Sequence, residues 1–472
     1  MSNPSAASEK KWYQKLKMPH TYVILTTILI FVTILTHIIP AGEYQRIEDP
    51  TSGKQIVVPG SYEQIEVEAP GFFDIFLSLQ EGYVDAADIM FLIIFAYGFV
   101  YVLTKNGTMD AALGVMVKKA GNKVQLLIPI TMITLGLLSS LLGIFEEVYG
   151  LFPVLVGMFI ALGYDALVGG AIIYLGIAVG FAAALTNPYS IGIAQDIVGL
   201  PMFSGLGLRI AVFIVFEVVT ITYVMLYAKK VKKDPTKSVL YGVELEGIPT
   251  KTLDDLTDVR LSGRQKICLL IFLVTIATLL YGTIVLKWYI NEIAALFLMA
   301  MIASGIASGY STTEICKTFI ESTRSMVSTM LVVGFTRGIL LMMKSGCITD
   351  TIVFYLVSAL ENTSKYVSAY GMLILQNIIK LFITGSSSQA TITMPIMSPT
   401  AELIGLSKQI AVLAYQFGNG FAEIFWPTSC ALGCGLMGVP INKWYKFVAP
   451  LFGIFIILEI IFMTIAVSIG YC

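Results

Sequence analysis

The sequence predicts an all-α polytopic membrane protein built as an inverted repeat, with two re-entrant hairpins and two broken helices. Three observations carry this. Of 472 residues, 56% are hydrophobic and 13% charged, against roughly one-quarter charged in a soluble domain. Apolar runs of about 20 residues, enough to cross a bilayer, recur along the whole length. The glycine and proline pattern of one half also returns in the other: Gly143, Pro153 and Gly163 recur 242 residues later as Gly385, Pro395 and Gly405. Gly107 with Gly346, Leu185 with Ile424 and Pro188 with Pro427 pair at an offset of 239, and Glu217 with Glu459 at 242. Such interruptions inside apolar stretches mark broken helices near mid-membrane, the setting in which transporters bind their solutes.

The elements follow in order. Residues 1–20 are polar and lysine-containing, and the run 21–40 is too long for a signal-peptide core, so it is read as a retained first helix. Further spans are expected at 83–104, 166–200 (broken), 207–228, 267–286, 290–309, 325–343, 409–438 (broken) and 447–469. The stretches 124–163 and 368–405 are each too long for one helix and carry Gly and polar residues at their middles, which fits re-entrant hairpins. The short amphipathic stretches 106–120 and 312–324 are expected to lie flat at the membrane surface.

Charge sets the orientation. Lys10, Lys11, Lys15 and Lys17 precede the first helix, 41–82 is acidic, and 229–266 is rich in Lys and Arg. By the positive-inside rule the N-terminus and the 229–266 linker are cytoplasmic and 41–82 is external. The organisation is then a cytoplasmic 1–20, a first half 21–228 whose hairpin 124–163 enters from the cytoplasm, the linker 229–266, and a second half 267–472 whose hairpin 368–405 enters from outside. The extra leading helix 267–286 inverts the second half. The expected location is a bacterial-type inner (plasma) membrane, crossed several times.

A net charge of −1 argues against nucleic acid. Six cysteines without CxxC spacing and only two histidines argue against structural zinc or a disulfide framework. No cofactor is expected beyond Na⁺ or H⁺ coupling, and the expected partners are a small-molecule substrate and the lipid bilayer.

The candidate chemistry gathers at the hairpin tips and the breaks. The first tip carries Glu146 and Glu147, and intramembrane carboxylates persist when they face a cavity, hold a cation or exchange a proton. The second tip reads Gly385-Ser386-Ser387-Ser388; hydroxyls there cap free N–H groups, and a helix N-terminus attracts carboxylates. The breaks at Thr186-Asn187-Pro188 and Trp426-Pro427-Thr428-Ser429 free carbonyls that can coordinate Na⁺ or an ammonium. Gln416, Asn419, Gly420 and Glu423 form one polar stripe that must face protein or water. Arg337 and Lys380 are read as structural partners of intramembrane glutamates, Glu217 and Glu459 as structural, and Asp88 as interfacial.

From Met18-Pro19 to Asn442-Lys443-Trp444, the chain resembles the YfcC-type family, grouped with the anaerobic four-carbon-dicarboxylate carriers of the ion-transporter superfamily. The resemblance is most specific at Gly143-to-Pro153 with its glutamate pair, Asn187-Pro188, Lys233-Asp234-Pro235 and Pro427-Thr428-Ser429. It implies a homodimer with a scaffold and a mobile, elevator-type transport domain. It also implies substrate or ion sites at Glu146, Glu147, Thr186, Asn187, Ser386, Ser387, Ser388, Thr428 and Ser429; the helix stripe adds Asn419. Together these features favour a secondary active transporter of a small carboxylate-bearing solute, foremost a basic amino acid in arginine/ornithine-like exchange. A Na⁺- or H⁺-coupled dicarboxylate carrier is the alternative. A channel would need a continuous polar pore, and an enzyme a nucleophile with its base or a motif such as HExxH; the sequence offers neither.

Overall fold

The computed structural model describes residues 20–48, 55–58, 60–109, 111–112, 115, 125–243, 261–286, 288, 290–358 and 363–472. The helices are α1 (Thr21–Ile38), α2 (Phe72–Asp85), α3 (Ala87–Lys105), α4 (Leu127–Leu142), α5 (Phe152–Ala161), α6 (Ala166–Ala183), α7 (Ile193–Ile197) and α8 (Leu206–Lys233) in the first half. The second half holds α9 (Gly263–Ile284), α10 (Ile290–Ser308), α11 (Thr312–Ser345), α12 (Thr349–Ser358), α13 (Lys365–Phe382), α14 (Ser386–Leu403), α15 (Lys408–Gly420), α16 (Pro427–Met437) and α17 (Ile441–Ile469). Among the described residues, seven helices are long and apolar enough to cross a membrane. Outward faces of α1, α8, α9 and α17 expose Phe31, Val218, Leu273 and Ile457, as expected of surfaces that meet lipid rather than water.

Helices from both halves interleave into two packed groups. In one, α10 and α11 pack on α3, α11 also packs on α1 and α2, and α9 lies against α10. In the other, α4 and α5 both pack on α6, α13 and α14 both pack on α15, and α6 meets α15. The crossing of α2 with α11 depends on missing side chains: a Cβ on Gly82 would lie 2.4 Å from the Gly338 nitrogen, and one on Gly334 would overlap the Tyr83 ring. Small residues let two helix backbones approach this closely.

Two sequence expectations are corrected. The stretch 312–324 does not form a separate surface helix; Ser311 caps a single helix running to Ser345, roughly 50 Å at about 1.5 Å per residue. No proline interrupts it, so the polar first turns simply extend the membrane helix. The span expected at 83–104 begins at Ala87, because α2 ends at Asp85 and Ala86 forms the turn between them. The acidic segment 41–82, for which no element was expected, holds two antiparallel two-stranded ladders, Gly42–Glu43 with Glu63–Gln64 and Arg46–Glu48 with Gln55–Val57, besides α2. These ladders are fastened to α12, where Asp350 pairs with Arg46 at 2.8 Å and accepts from the Tyr44 N–H at 3.0 Å. Most of the expected surface stretch 106–120 lies outside the described residues.

The start of the linker is ordered by one aspartate on each side. Asp234 caps the turn at Pro235–Lys237, accepting from the Thr236 amide and hydroxyl. Those hydrogen bonds hold its carboxyl below the usual carboxylate range. Asp165 caps α6 and also accepts from Tyr227 and Ser238 at 2.6 and 2.5 Å. Lys443 of α17 then donates to Val239 O at 3.0 Å, tying the segment after α8 to the last helix.

Candidate binding site between the two helix breaks

The first break is set by Gly143, which ends α4 in the left-handed region at φ 75°. A side chain is excluded there, since a Cβ would lie 2.4 Å from Asn187 Oδ1. The chain then enters a short 3₁₀ turn, Glu146–Leu151, before α5. The facing break follows Ala184, where α6 stops ahead of Asn187-Pro188. Thr186 fastens it to α4, its amide donating to Ser140 O at 3.0 Å and its hydroxyl to Leu141 O at 2.9 Å. Asn187 Oδ1 caps the following turn by accepting from the Tyr189 N–H at 2.9 Å.

The second break is built the same way. Between α13 and α14 the residues Ile383-Thr384-Gly385 are non-helical, and the facing break lies between α15 and α16. Thr428 donates to Leu381 O at 2.9 Å, the counterpart of the Thr186 contact. Trp426 Nε1 donates to Asn377 O at 2.6 Å and Tyr415 OH to Ser386 O at 2.9 Å. The buried Lys380 ammonium satisfies this turn: it pairs with Glu423 at 2.5 Å, donates to Asn419 Oδ1 at 2.9 Å, and donates to Thr384 O. Ser386 adds a bond to Asn419 Oδ1 at 3.2 Å. The expectation that Lys380 pairs with an intramembrane glutamate is met by Glu423.

The two tips meet. Ser387 Oγ donates to Tyr189 O at 3.1 Å, and between the tips lies a cavity of about 430 Å³. Its wall includes Gly143, Phe145, Glu146, Phe181 and Tyr189 from the first half and Thr384 to Ser388 with Glu423 from the second. Asp85, Asp88, Ile290 and Arg337 close it from the other helical group. Four pairs of wall residues stand 242 positions apart: Gly143 and Gly385, Phe145 and Ser387, Glu146 and Ser388, Phe181 and Glu423.

Of the sequence-nominated residues, Glu146, Ser386, Ser387 and Ser388 therefore reach the cavity. Thr186, Asn187, Asn419, Thr428 and Ser429 stand behind its wall. There Thr186 and Thr428 hold the breaks, and Asn419 orients Lys380 and Ser386. Ser429 Oγ, Asn187 Nδ2 and Asn419 Nδ2 are buried without a hydrogen-bond partner. The Glu147 side chain lies outside the described residues. Asp88 is not merely interfacial: it lines the cavity, its Oδ1 accepting from the Ile89 N–H at 2.7 Å. Arg337 sits 3.7 Å from Asp85, an aspartate rather than the expected glutamate, and faces the same space. Asp85 fell inside the expected span 83–104 without being singled out; its spacing of three from Asp88 was the available sign, placing both on one face of any helix continued through them.

The wall carries four carboxylates, Asp85, Asp88, Glu146 and Glu423, against Arg337; Lys380 stands behind Glu423 and neutralises it. The cavity is thus acidic on balance, with one guanidinium and a row of serines at the start of α14. Such a site can hold a solute with a cationic end and a carboxylate end.

The chain matches the family described as "DcuC: C4-dicarboxylate anaerobic carrier" over residues 18–468. It is 29% identical to an uncharacterised protein of Haemophilus influenzae, covering 98% of this chain and 99% of that one. It is 28% identical to the Escherichia coli protein named "Putative basic amino acid antiporter YfcC", covering 99% and 100%. Among solved structures, Neisseria gonorrhoeae MtrF, described within a class of antimetabolite efflux pumps, overlaps at a TM-score of 0.43 with 18% identity, covering 96% of each chain.

Proposed function

Since this chain belongs to the C4-dicarboxylate anaerobic carrier family, a family of transporters, we propose that it is a multi-pass secondary transporter exchanging basic amino acids. The observation that carries the substrate class is the charge balance of the cavity wall, three carboxylates to one arginine once Glu423 is set against Lys380. A dicarboxylate would bring two negative charges into a space already negative, in a setting where charges are weakly screened. An amino acid with a cationic side chain places its ammonium and guanidinium toward Asp85, Asp88 and Glu146, and its carboxylate toward Arg337 and the serines of α14. The name of the Escherichia coli relative leans the same way.

In this reading the two helix–break–helix units are re-entrant hairpins related by a pseudo-two-fold axis, a relation supported by the four wall pairs 242 residues apart. Helices α4–α8 with α13–α17 form the moving body, and α1–α3 with α9–α11 form the scaffold that supplies Asp85, Asp88 and Arg337. The resemblance adds an elevator movement and a homodimer in the inner membrane, with the N-terminus cytoplasmic.

Counterflow in proteoliposomes tests the substrate. Labelled arginine should exchange against internal arginine, ornithine or lysine and be unaffected by external succinate. Glu146→Gln should weaken arginine exchange about tenfold or more, the value of one charge-assisted contact. Succinate exchange without arginine exchange would replace this reading with the dicarboxylate one.

A further inference from the structure

We propose that Glu217 and Glu459 are proton sites, one in each half, separate from the solute cavity and each holding a proton in this conformation. The two residues are 3% and 1% exposed and stand 242 positions apart. Both carboxylate oxygens of Glu217 and Oε1 of Glu459 lack a hydrogen-bond partner. An ionised carboxylate left unpaired in such surroundings would be strongly destabilising, and protonation is the ordinary escape.

Their settings match. Glu217 Oε2 lies over Gly136 of α4, where α4 crosses α6: a Cβ on Gly136 would be 3.3 Å from that oxygen and 3.3 Å from Gly176 O. Gly176 recurs 242 residues later as Gly418, the position where α15 meets α13, a Cβ on it lying 2.7 Å from the Asn377 nitrogen. Glu459 sits on α17, which packs on both α13 and α15. The Glu217 carboxyl therefore backs the seam between a tip-bearing helix and the broken helix that faces the same tip, and Glu459 holds the matching position on a helix that packs on both members of the second seam.

No charged group faces either carboxyl among the described residues. Around Glu217, α4 has no ionisable side chain, Tyr174 of α6 donates to Glu423 O, and on α17 Lys443 donates to Val239 O and Tyr445 to Phe425 O. Around Glu459, Lys380 is paired with Glu423 and Lys408 with Glu402. Tyr366, Tyr370 and Tyr415 bond Ser468, Thr464 and Ser386 O, and Cys430 of α16 bonds Phe425 O. Within α8, Arg209 is spent on Ser204 O, Phe203 O and Leu185 O, Tyr223 donates to Phe447 O and Tyr227 to Asp165. A metal cation would require several oxygen ligands, whereas the Glu217 notch offers helix backbone and the Phe213 ring. The step is the simple equilibrium of carboxylate plus proton to carboxylic acid. Its consequence is that each seam closes only over the neutral form, so opening toward water releases a proton.

Infrared spectroscopy of the full protein in lipid nanodiscs tests the sites independently of any solute. The carbonyl band of a protonated carboxyl group should persist at neutral pH, fall in Glu217→Gln and in Glu459→Gln, and fall by the sum in the double variant. An unchanged band in both would overturn the proposal. Should a glutamine variant fail to fold, the aspartate variant serves instead: the band should remain and shift in frequency, and an unmoved band counts equally against the assignment. A parallel pH series of arginine counterflow should flatten in the variants. Absence of arginine exchange in the wild type would sink the substrate reading alone, because the infrared band still decides the proton sites.

Discussion

The two tips use one backbone device and fill it with opposite chemistry. In each, a helix stops, a threonine from the facing break donates to a carbonyl at its end, and the chain restarts as a second helix. Yet the wall positions related by 242 residues differ: Phe145 answers Ser387, Glu146 answers Ser388, and Phe181 answers Glu423. Lys380, which neutralises Glu423, has Leu138 as its counterpart. The first tip thus offers a carboxylate on an apolar bed, and the second offers hydroxyls on a neutralised ion pair. A repeated backbone can therefore build an asymmetric site, one end for each end of a zwitterion.

The largest way to break the comparison is to remove the charge that only the second tip has. Lys380 is 1% exposed and its partner Glu423 19%. Lys380→Met strands that carboxylate, removes the ammonium donor from Thr384 O and leaves Asn419 Oδ1 with Ser386 alone, so it should cost about 3–5 kcal/mol. Lys380→Met combined with Glu423→Gln should recover a large part of that loss. Unfolding midpoints in detergent measure both. A single variant as stable as the wild type would mean that the ion pair does not hold the second tip.

A smaller effect separates the two matched glycines. Gly143 has φ 75° and no room for a Cβ, whereas Gly385 has φ −77° and meets nothing nearer than Ser388 Oγ at 3.4 Å. Gly143→Ala should therefore destabilise by about 1–3 kcal/mol, as forced left-handed backbone does. Gly385→Ala should leave the fold nearly unchanged. Equal unfolding midpoints for the two variants would show that the tips share one backbone requirement after all.

What the sequence revealed and what it hid follow from the range of the forces involved. Gly143, Asn187-Pro188 and Trp426-Pro427 were legible because a break needs particular residues at the break itself. Lys380 was legible as half of an ion pair, but its partner Glu423 lies 43 residues on, and only the packing of α13 on α15 selects it. Asp85 and Asp88 both fell at the start of the span expected at 83–104, but only the packing of α11 on α2 and α3 turns them toward a cavity. The Gly334–Gly338 spacing on α11 was a visible small-residue stripe, but nothing in sequence says that Gly82 is what it meets.

The finest test concerns the feature the tips share. Thr186 and Thr428 each donate to a carbonyl at 2.9 Å, and the two positions are 242 residues apart. Valine keeps the shape and removes the hydroxyl, so each substitution should cost about 1 kcal/mol of stability. The difference lies in what remains. At the first break the Thr186 amide still donates to Ser140 O and the Leu185 amide to Ser140 Oγ at 3.0 Å. At the second, Thr428 follows Pro427, which has no N–H to offer, and the break keeps the single Trp426 side-chain bond to Asn377 O at 2.6 Å. Thr428→Val should accordingly destabilise more than Thr186→Val, and the double variant should equal their sum if the tips behave independently. An excess beyond the sum would instead show the tips to be coupled, through the Ser387–Tyr189 contact that joins them.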